Sequence, residues 1–397
     1  MKTSRRFDGI GASETVAIAG RAAELRRAGY DVVSFAAGEP DFATPAHVVE
    51  AMARAARDGA TRYPPSLGLP ELRAAVARQA CARYEVELAA DQVVVTPGAK
   101  FALWAAFQAL VDPGDEVLVP TPCWVSYAPQ IALAGGRMVA VPTSAAQGFR
   151  IDAESIRQAI TPRTVGIALN LPNNPTGALA SQAELTAIAE LALEHDLWIL
   201  ADDIYAELRF AGGAYPSPLR GRDDLRDRVV IIDGLSKSHA MTGWRIGYAV
   251  VPRAILKAFG TLVGQTATGV TTFVQHGAVA ALEGDQGFLG GWLAAYRSRA
   301  ERVCDRIAAC GLGAVLPEGA FYSLIDVRSA LGEGPERLAS DADFARRLLD
   351  EEKVAVVPGS AFMAPGYVRL SFACADDVLV EGLERIARFA ARQRGHG

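Results

Sequence analysis

Val229 to Val251 reads VVIIDGLSKSHAMTGWRIGYAVV. Two apolar, β-branched runs, Val229 to Ile232 and Ile246 to Val251, enclose a polar stretch carrying Ser236, Lys237, Ser238, His239, Thr242 and Arg245. Such runs read as buried strands. The chain leaves the sheet and re-enters it within a few residues, which keeps the loop against the sheet edge. Lys237 and Arg245 are therefore expected to face an anion or a reacting group.

Outward from this stretch, apolar runs alternate with helical patterns. Strands are expected at 92–96, 116–119, 137–141, 165–170, 197–201, 229–233 and 246–251, with helices between them, for example 99–111 and 182–195. Strands alternating with helices argue for an α/β protein whose mostly parallel, seven-stranded sheet is covered on both faces. Ligands of such sheets bind at the carboxyl ends of the strands. Those ends deliver Gly98, Ala99 and Lys100, then Trp124, then Asn173 and Asn174, then Asp202 and Tyr205, and finally Ser236 and Lys237. The turn VVVTPGAK opens a helix, so its free amides form an anion site, and Gly98 lets backbone approach a phosphate. Lys100 lies in that first helical turn, where the dipole disfavours a cation unless an anion is near. Asp203 is expected to cap a helix.

The flanks read differently. A helix is expected from Glu14 to Ala28, a strand in VVSFAA, and a helix from Ala46 to Arg57. GIGASE at Gly9 to Glu14 follows no strand and lacks the last glycine of a dinucleotide fingerprint, so that reading is rejected. Past Val251 the pattern is helical over 253–283 and 285–310, then strand-like in FYSLIDV, VAVVP and YVRLSF, with a last helix over 376–392. Alternation in Tyr367 to Phe372 sets Arg369 on the face opposite Val368, Leu370 and Phe372, and an arginine on an inner strand needs an anionic partner. The expected division is a large domain, 45–285, and a smaller α+β domain built from 1–44 plus 286–397.

Composition excludes several classes. Hydrophobic residues make up 50% and charged residues 21% of 397, as in a folded globular chain. A net charge of -5 argues against nucleic acid as partner. No signal core and no run of about 18 apolar residues is present, so no membrane span and a cytoplasmic location are expected. The five scattered cysteines and five histidines show no ligand spacing, so no metal is expected.

SKSHAMTGWRIGY, AGEPDF, LNLPNNPTG, ADDIYAEL and YVRLSF together resemble the class I pyridoxal-phosphate aminotransferases, the aspartate aminotransferase superfamily, over essentially the whole chain. The resemblance implies the fold-type I architecture and pyridoxal 5'-phosphate as cofactor. Lys237 would carry the cofactor aldehyde as a Schiff base, Arg245 would hold its phosphate with Gly98, Ala99 and Ser236, and Trp124 would stack on its ring. Asp202 would keep the ring nitrogen protonated, while Tyr205 and Asn174 would hold the phenolic oxygen. Arg369 would grip the substrate α-carboxylate, Gly38 would approach the substrate closely, and Tyr63 would reach the phosphate of a neighbouring subunit. A homodimer with shared active sites follows from that last implication.

The implied activity is ping-pong transamination between an L-amino acid and a 2-oxo acid, with freed Lys237 moving the α-proton. Lys100 would meet the cofactor phosphate or, helped by Thr15, read a distal substrate carboxylate, for which GQTATGVTT at Gly264 to Thr272 offers no arginine. Aspartate or a similar dicarboxylic donor with 2-oxoglutarate is favoured, with prephenate as a further acceptor. The alternatives are a related lyase, decarboxylase or cyclase using the same cofactor contacts, and a pyridoxal-phosphate-sensing regulator. The regulator is disfavoured because the chain leaves no room for a DNA-binding segment.

Overall fold

The computed structural model describes residues 2, 4, 7, 10, 11, 14–332 and 338–394. Gly9, Ala12 and Ser13 of GIGASE, and His396, lie outside the described residues. Helix α1 (Glu14–Arg27) and the short strand β1 (Val33–Ser34) lead to α2 (Ala46–Arg57) and α3 (Pro70–Tyr84). Pro70 suits the first turn of α3, where its missing N–H has no partner to lose. An alternation follows: β2 (Val93–Thr96), α4 (Ala99–Leu110), β3 (Glu116–Thr121), α5 (Tyr127–Ala134), β4 (Arg137–Pro142), α6 (Ala153–Ala159) and β5 (Thr164–Asn170). It continues through α7 (Gln182–Glu194), β6 (Trp198–Asp202), β7 (Val229–Gly234), α8 (Leu235–Ser238) and β8 (Gly247–Val250). Ser181 and Glu184 start α7 with a reciprocal capping box.

These seven strands form one sheet in the order β2-β8-β7-β6-β5-β3-β4, and β8 alone runs antiparallel to its neighbours. The middle stretches of the inner strands are apolar at successive positions because both faces are covered. Val93, Val95, Ile199, Val229 and Ile231 belong to one core cluster, while the intervening Val94, Leu200, Val230 and Ile232 belong to another. Alternate residues of a strand point to opposite faces, so a continuous apolar run serves both cores. β4, at the edge, is only partly buried.

The helical stretch expected over 253–283 is two helices, α9 (Arg253–Thr266) and α10 (Thr272–Glu283). The break lets α10 turn onto α2, where a Cβ on Gly277 would come 3.1 Å from Met52 Cβ and 3.3 Å from the Val48 carbonyl. Thr268 takes φ 61° in that turn, a conformation uncommon outside glycine. Beyond lie α11 (Phe288–Ala309), β9 (Gly313–Ala314), β10 (Tyr322–Asp326), α12 (Asp341–Glu352), β11 (Val354–Ala355), β12 (Val357–Pro358), β13 (Tyr367–Ser371) and α13 (Asp376–Arg394). β12, β13, β10 and β9 form an antiparallel sheet, and β1 pairs in parallel with β11. The strand expected over VVSFAA is thus only two residues long, since β1 has a single short partner.

Glu116 begins β3 with its side chain fully buried, accepting hydrogen bonds from Thr161 Oγ1 (2.7 Å), Arg137 (2.6 Å) and Arg163 (2.8 Å). The Thr161 bond first, then the Arg137 bond, holds its carboxyl down at about 2, against a usual 4.5. A depressed acid contributes stability above its unfolded pKa and loses it as pH falls through the folded one. Glu116→Gln is expected to lower the urea midpoint at neutral pH, with the gap to wild type narrowing from about pH 4.5 toward 2. A gap that stays constant over that window would count against the clamp.

Candidate active site

The parallel strands deliver their ends to one edge, and the reversal of β8 brings the residues before it to the same place. A cavity of about 510 Å³ opens there, with Lys237, Asp202, Tyr205, Asn174, Trp124, Arg245 and Arg369 in its walls. Ala99, Lys100, Ser236, Gly38 and Thr15 line it as well, so nearly all the site residues expected from sequence meet. Gly98 stands directly behind Arg245. Tyr63 does not line the cavity and is 89% exposed in the single chain.

Lys237 sits in α8, one turn past β7, and its Nζ donates to the Gly38 carbonyl. Burial, joined by Arg369 and Arg245, lowers its pKa to about 8, against the opposing pull of Glu39 and Asp202. The Gly38 segment is itself anchored: Phe42 stacks on Trp292 at 4.6 Å and Asp41 accepts from Arg299 at 2.9 Å. His239 is buried behind the lysine, with Nδ1 2.8 Å from Ser238 Oγ and Nε2 3.0 Å from the Ala281 carbonyl. It therefore ties the lysine loop to α10 and takes no place in the cavity wall.

Asp202, the last residue of β6, is 3% exposed. Its Oδ2 accepts a 2.5 Å bond from Tyr127, while its Oδ1 is buried with no partner. Burial raises its pKa to about 7, only partly offset by Tyr127, and the neighbouring Asp203 and Asp233 add to the rise. Asp203 does not cap a helix. No helix follows it; its carboxylate is buried and accepts from Tyr84 (2.6 Å) and Tyr215 (2.7 Å).

Arg369 is 2% exposed on β13 and donates to Asn174 Oδ1 (3.1 Å) and the Ala36 carbonyl (2.9 Å). Its Nε has no partner, and among the described residues no carboxylate pairs with it. The anion its position demands is thus absent among the described residues, and burial lowers its pKa. With Oδ1 of Asn174 engaged, the amide nitrogen is the half available to a ligand. Lys100 extends over the Trp124 ring at 4.8 Å, and burial followed by Arg245 lowers its pKa.

Arg245 precedes β8 with φ 52° and donates to the Thr242 carbonyl at 2.7 Å. Gly98 takes φ 88°, and a Cβ there would stand 2.6 Å from the Arg245 guanidinium. A Cβ on Gly247 would collide with the Gly98–Ala99 backbone. The two glycines let the N-terminus of α4 and Arg245 converge on one point.

The chain from residue 30 to 386 matches the family model described as aminotransferase class I and II. It belongs to that family. This aminotransferase is 41% identical to the aspartate aminotransferase of Bacillus subtilis (strain 168) over 394 residues, covering 99% of this chain and 100% of that one. It is 43% identical to the aspartate/prephenate aminotransferase of Thermus thermophilus, covering 98% and 99%. The Thermus thermophilus aspartate aminotransferase structure with maleate superposes with a TM-score of 0.92 at 42% identity over 98% and 99% of the chains. That of Rhizobium meliloti gives 0.94 at 38% identity over 99% of each. The aminotransferase has the fold-type I architecture, with a large mainly parallel sheet beside a smaller antiparallel one.

The family depends on pyridoxal phosphate, and the cavity fits that group. The orphaned Oδ1 of Asp202 needs a donor such as a protonated ring nitrogen. The first turn of α4 with Arg245 offers amides and a guanidinium to a phosphate. Lys237 supplies an amine that burial brings toward its neutral form.

Sequence reasoning missed Tyr127 and Tyr322. Tyr127 lies three residues after Trp124, one helical turn on, and that spacing was its only signal. Tyr322 is placed by the pairing of β10 with β13, which no local pattern reports. Among the described residues no cluster of His, Cys, Asp and Glu is arranged to hold a metal ion, and no helix is long and apolar enough to cross a membrane.

Gly98→Ala introduces a left-handed φ unfavourable to alanine and a methyl against Arg245. Strain of ~1–3 kcal/mol corresponds to a loss of about 5- to 150-fold in pyridoxal phosphate affinity of the cofactor-free protein. The check is a fluorescence titration, and unchanged affinity would remove this turn from the anion site.

Proposed function

We propose that this aminotransferase moves the α-amino group of aspartate, or another dicarboxylic L-amino acid, to a 2-oxo acid such as 2-oxoglutarate, with prephenate as a further acceptor. The observation that carries the reading is Arg369, a buried guanidinium with no carboxylate partner among the described residues, at the wall of a cavity shared with Lys237. An α-carboxylate satisfies it with a paired hydrogen-bonded fork. Support for the dicarboxylic preference comes from Lys100 and Thr15 in the same wall, and from relatives named for aspartate.

Pyridoxal phosphate, when bound, supplies an electron sink for the negative charge that develops at the substrate α-carbon. The protein does the rest. Arg245, Ser236 and the Gly98–Ala99 amides would hold the phosphate, and Trp124 would cover the ring. Asp202 Oδ1 would accept from the ring nitrogen, a contact that favours its ionised form. Tyr205 and Asn174 would donate to the phenolic oxygen. Arg369 would fix the α-carboxylate, Gly38 would leave space beside it, and Lys100 would receive the distal carboxylate. The Lys237 amine, its pKa lowered to about 8, would take the α-proton on Nζ and hold it for the return step.

The same reading includes a homodimer in which Tyr63 of one copy completes the phosphate site of the other. Its support is the exposure of this aromatic on a proline-flanked loop. A division into 45–285 and 1–44 plus 286–397 is supported by the separate core cluster of α11, α13, β10 and β13 and by the pairing of β1 with β11. A cytoplasmic location accords with cysteines that form no disulfide among the described residues.

Purified protein supplied with pyridoxal phosphate is expected to be yellow, and Lys237→Ala to lose both the borohydride-sensitive colour and turnover. A colourless wild type would sink the reading. Arg369→Ala should raise KM about 30-fold or more for every amino acid, as loss of a buried charge partner does. Lys100→Ala should weaken aspartate by about fivefold and spare alanine, in line with a more exposed pair. Equal losses on both substrates would take the specificity role from Lys100.

A further inference from the structure

Tyr322 opens β10 and is 1% exposed, yet its ring reaches the cavity wall. β10 pairs with β13 so that Tyr322 stands opposite Ser371 and Leu324 opposite Arg369. This diagonal relation sets the Arg369 guanidinium over the Tyr322 ring at 4.5 Å. At its other end the Tyr322 hydroxyl lies 2.9 Å from that of Tyr205, the two rings meeting edge to face at 5.7 Å. A Cβ on Gly38 would come 2.9 Å from the same hydroxyl, so a glycine there keeps its position open.

A hydroxyl has one proton to give and can accept at its oxygen. Burial pushes the Tyr205 pKa far up and also raises that of Tyr322, so both hydroxyls keep their protons. The reading above has Tyr205 donating to the cofactor's phenolic oxygen. Its proton is then spent, and the 2.9 Å bond can only run from Tyr322 to Tyr205. We propose that Tyr322 is a positioning residue: by donating to Tyr205 it directs the Tyr205 proton at the phenolic oxygen and links that oxygen to the Arg369 carboxylate site. The inference rests on the role given to Tyr205. Successive donors polarise one another, so the bond from Tyr205 is stronger with Tyr322 behind it. The charged groups facing the pair are Arg369 from β13, Asp202 from β6, and Lys237 from α8, whose Nζ lies 6.0 Å from the Tyr205 ring.

Tyr322→Phe keeps the ring beneath Arg369 and removes only the hydroxyl. The test is a pH titration of the visible absorption of the holoenzyme in wild type, Tyr322→Phe, Tyr205→Phe and the double variant. A donor to the phenolic oxygen favours its fully anionic form, so losing the donor raises the pH at which the bound cofactor sheds its proton. Tyr322→Phe is expected to raise the midpoint by about half to one unit, Tyr205→Phe by more, and the double variant by no more than Tyr205→Phe alone. An unchanged midpoint in Tyr322→Phe, or an equal further shift on the Tyr205→Phe background, overturns the relay and leaves the role of Tyr205 standing. An unchanged midpoint in Tyr205→Phe overturns both.

Discussion

The site depends on a close approach of backbones where β8 enters the sheet. Gly247 pairs with Gly234 on one side and Thr96 on the other, at the ends of β7 and β2. A Cβ on Gly234 would stand 2.9 Å from the Gly247 Cα, and one on Gly247 would strike the Gly98–Ala99 turn. Without side chains there, the start of α8, the start of α4 and the approach to β8 fit against each other. Lys237, the anion-binding turn and Arg245 are consequently fixed in relation to one another by main chain, the least adjustable part of the fold.

Around that junction the fold collects charges that it does not pair. Among the described residues, Asp202 has an orphaned oxygen, Arg369 pairs with no carboxylate, and the Lys237 amine donates to a carbonyl. Burying such groups is unfavourable and depends on the surrounding structure to hold them. Elsewhere buried charges are satisfied: Arg83 pairs with Asp233 at 2.6 Å, Glu116 has three donors, and Asp203 takes two tyrosine hydroxyls. The contrast separates groups that stabilise the protein from groups held ready for a ligand. In the proposed function each orphan would meet one part of a bound amino acid and its cofactor: ring nitrogen, α-carboxylate and aldehyde.

Much of this was legible in the chain. The seven strands of the main sheet fell where apolar β-branched runs predict, because a strand covered on both faces is apolar along most of its length. The strand-end rule then gathered Asn174, Asp202 and Lys237 at one edge, since parallel strands share a direction. Less was legible where local pattern and tertiary demand diverge. The stretch 253–283 is helical by composition, yet it breaks at 267–271 so that α10 can reach α2. Asp203 resembles a capping residue, yet buried tyrosine hydroxyls claim it.

By itself, then, the sequence determined the sheet, the family and most of the side chains that line the cavity, because periodicity and short motifs are local properties of the chain. The tertiary structure alone decided that β8 runs antiparallel and so delivers Arg245 to the carboxyl edge. It also decided that among the described residues Arg369 meets no carboxylate, that Tyr127 claims one oxygen of Asp202 while the other has no partner there, and that Tyr322 lies between Tyr205 and Arg369. Each of these is a relation between residues far apart in the chain. Such relations are set by strand direction, register and the packing of one sheet against another, which no local pattern encodes.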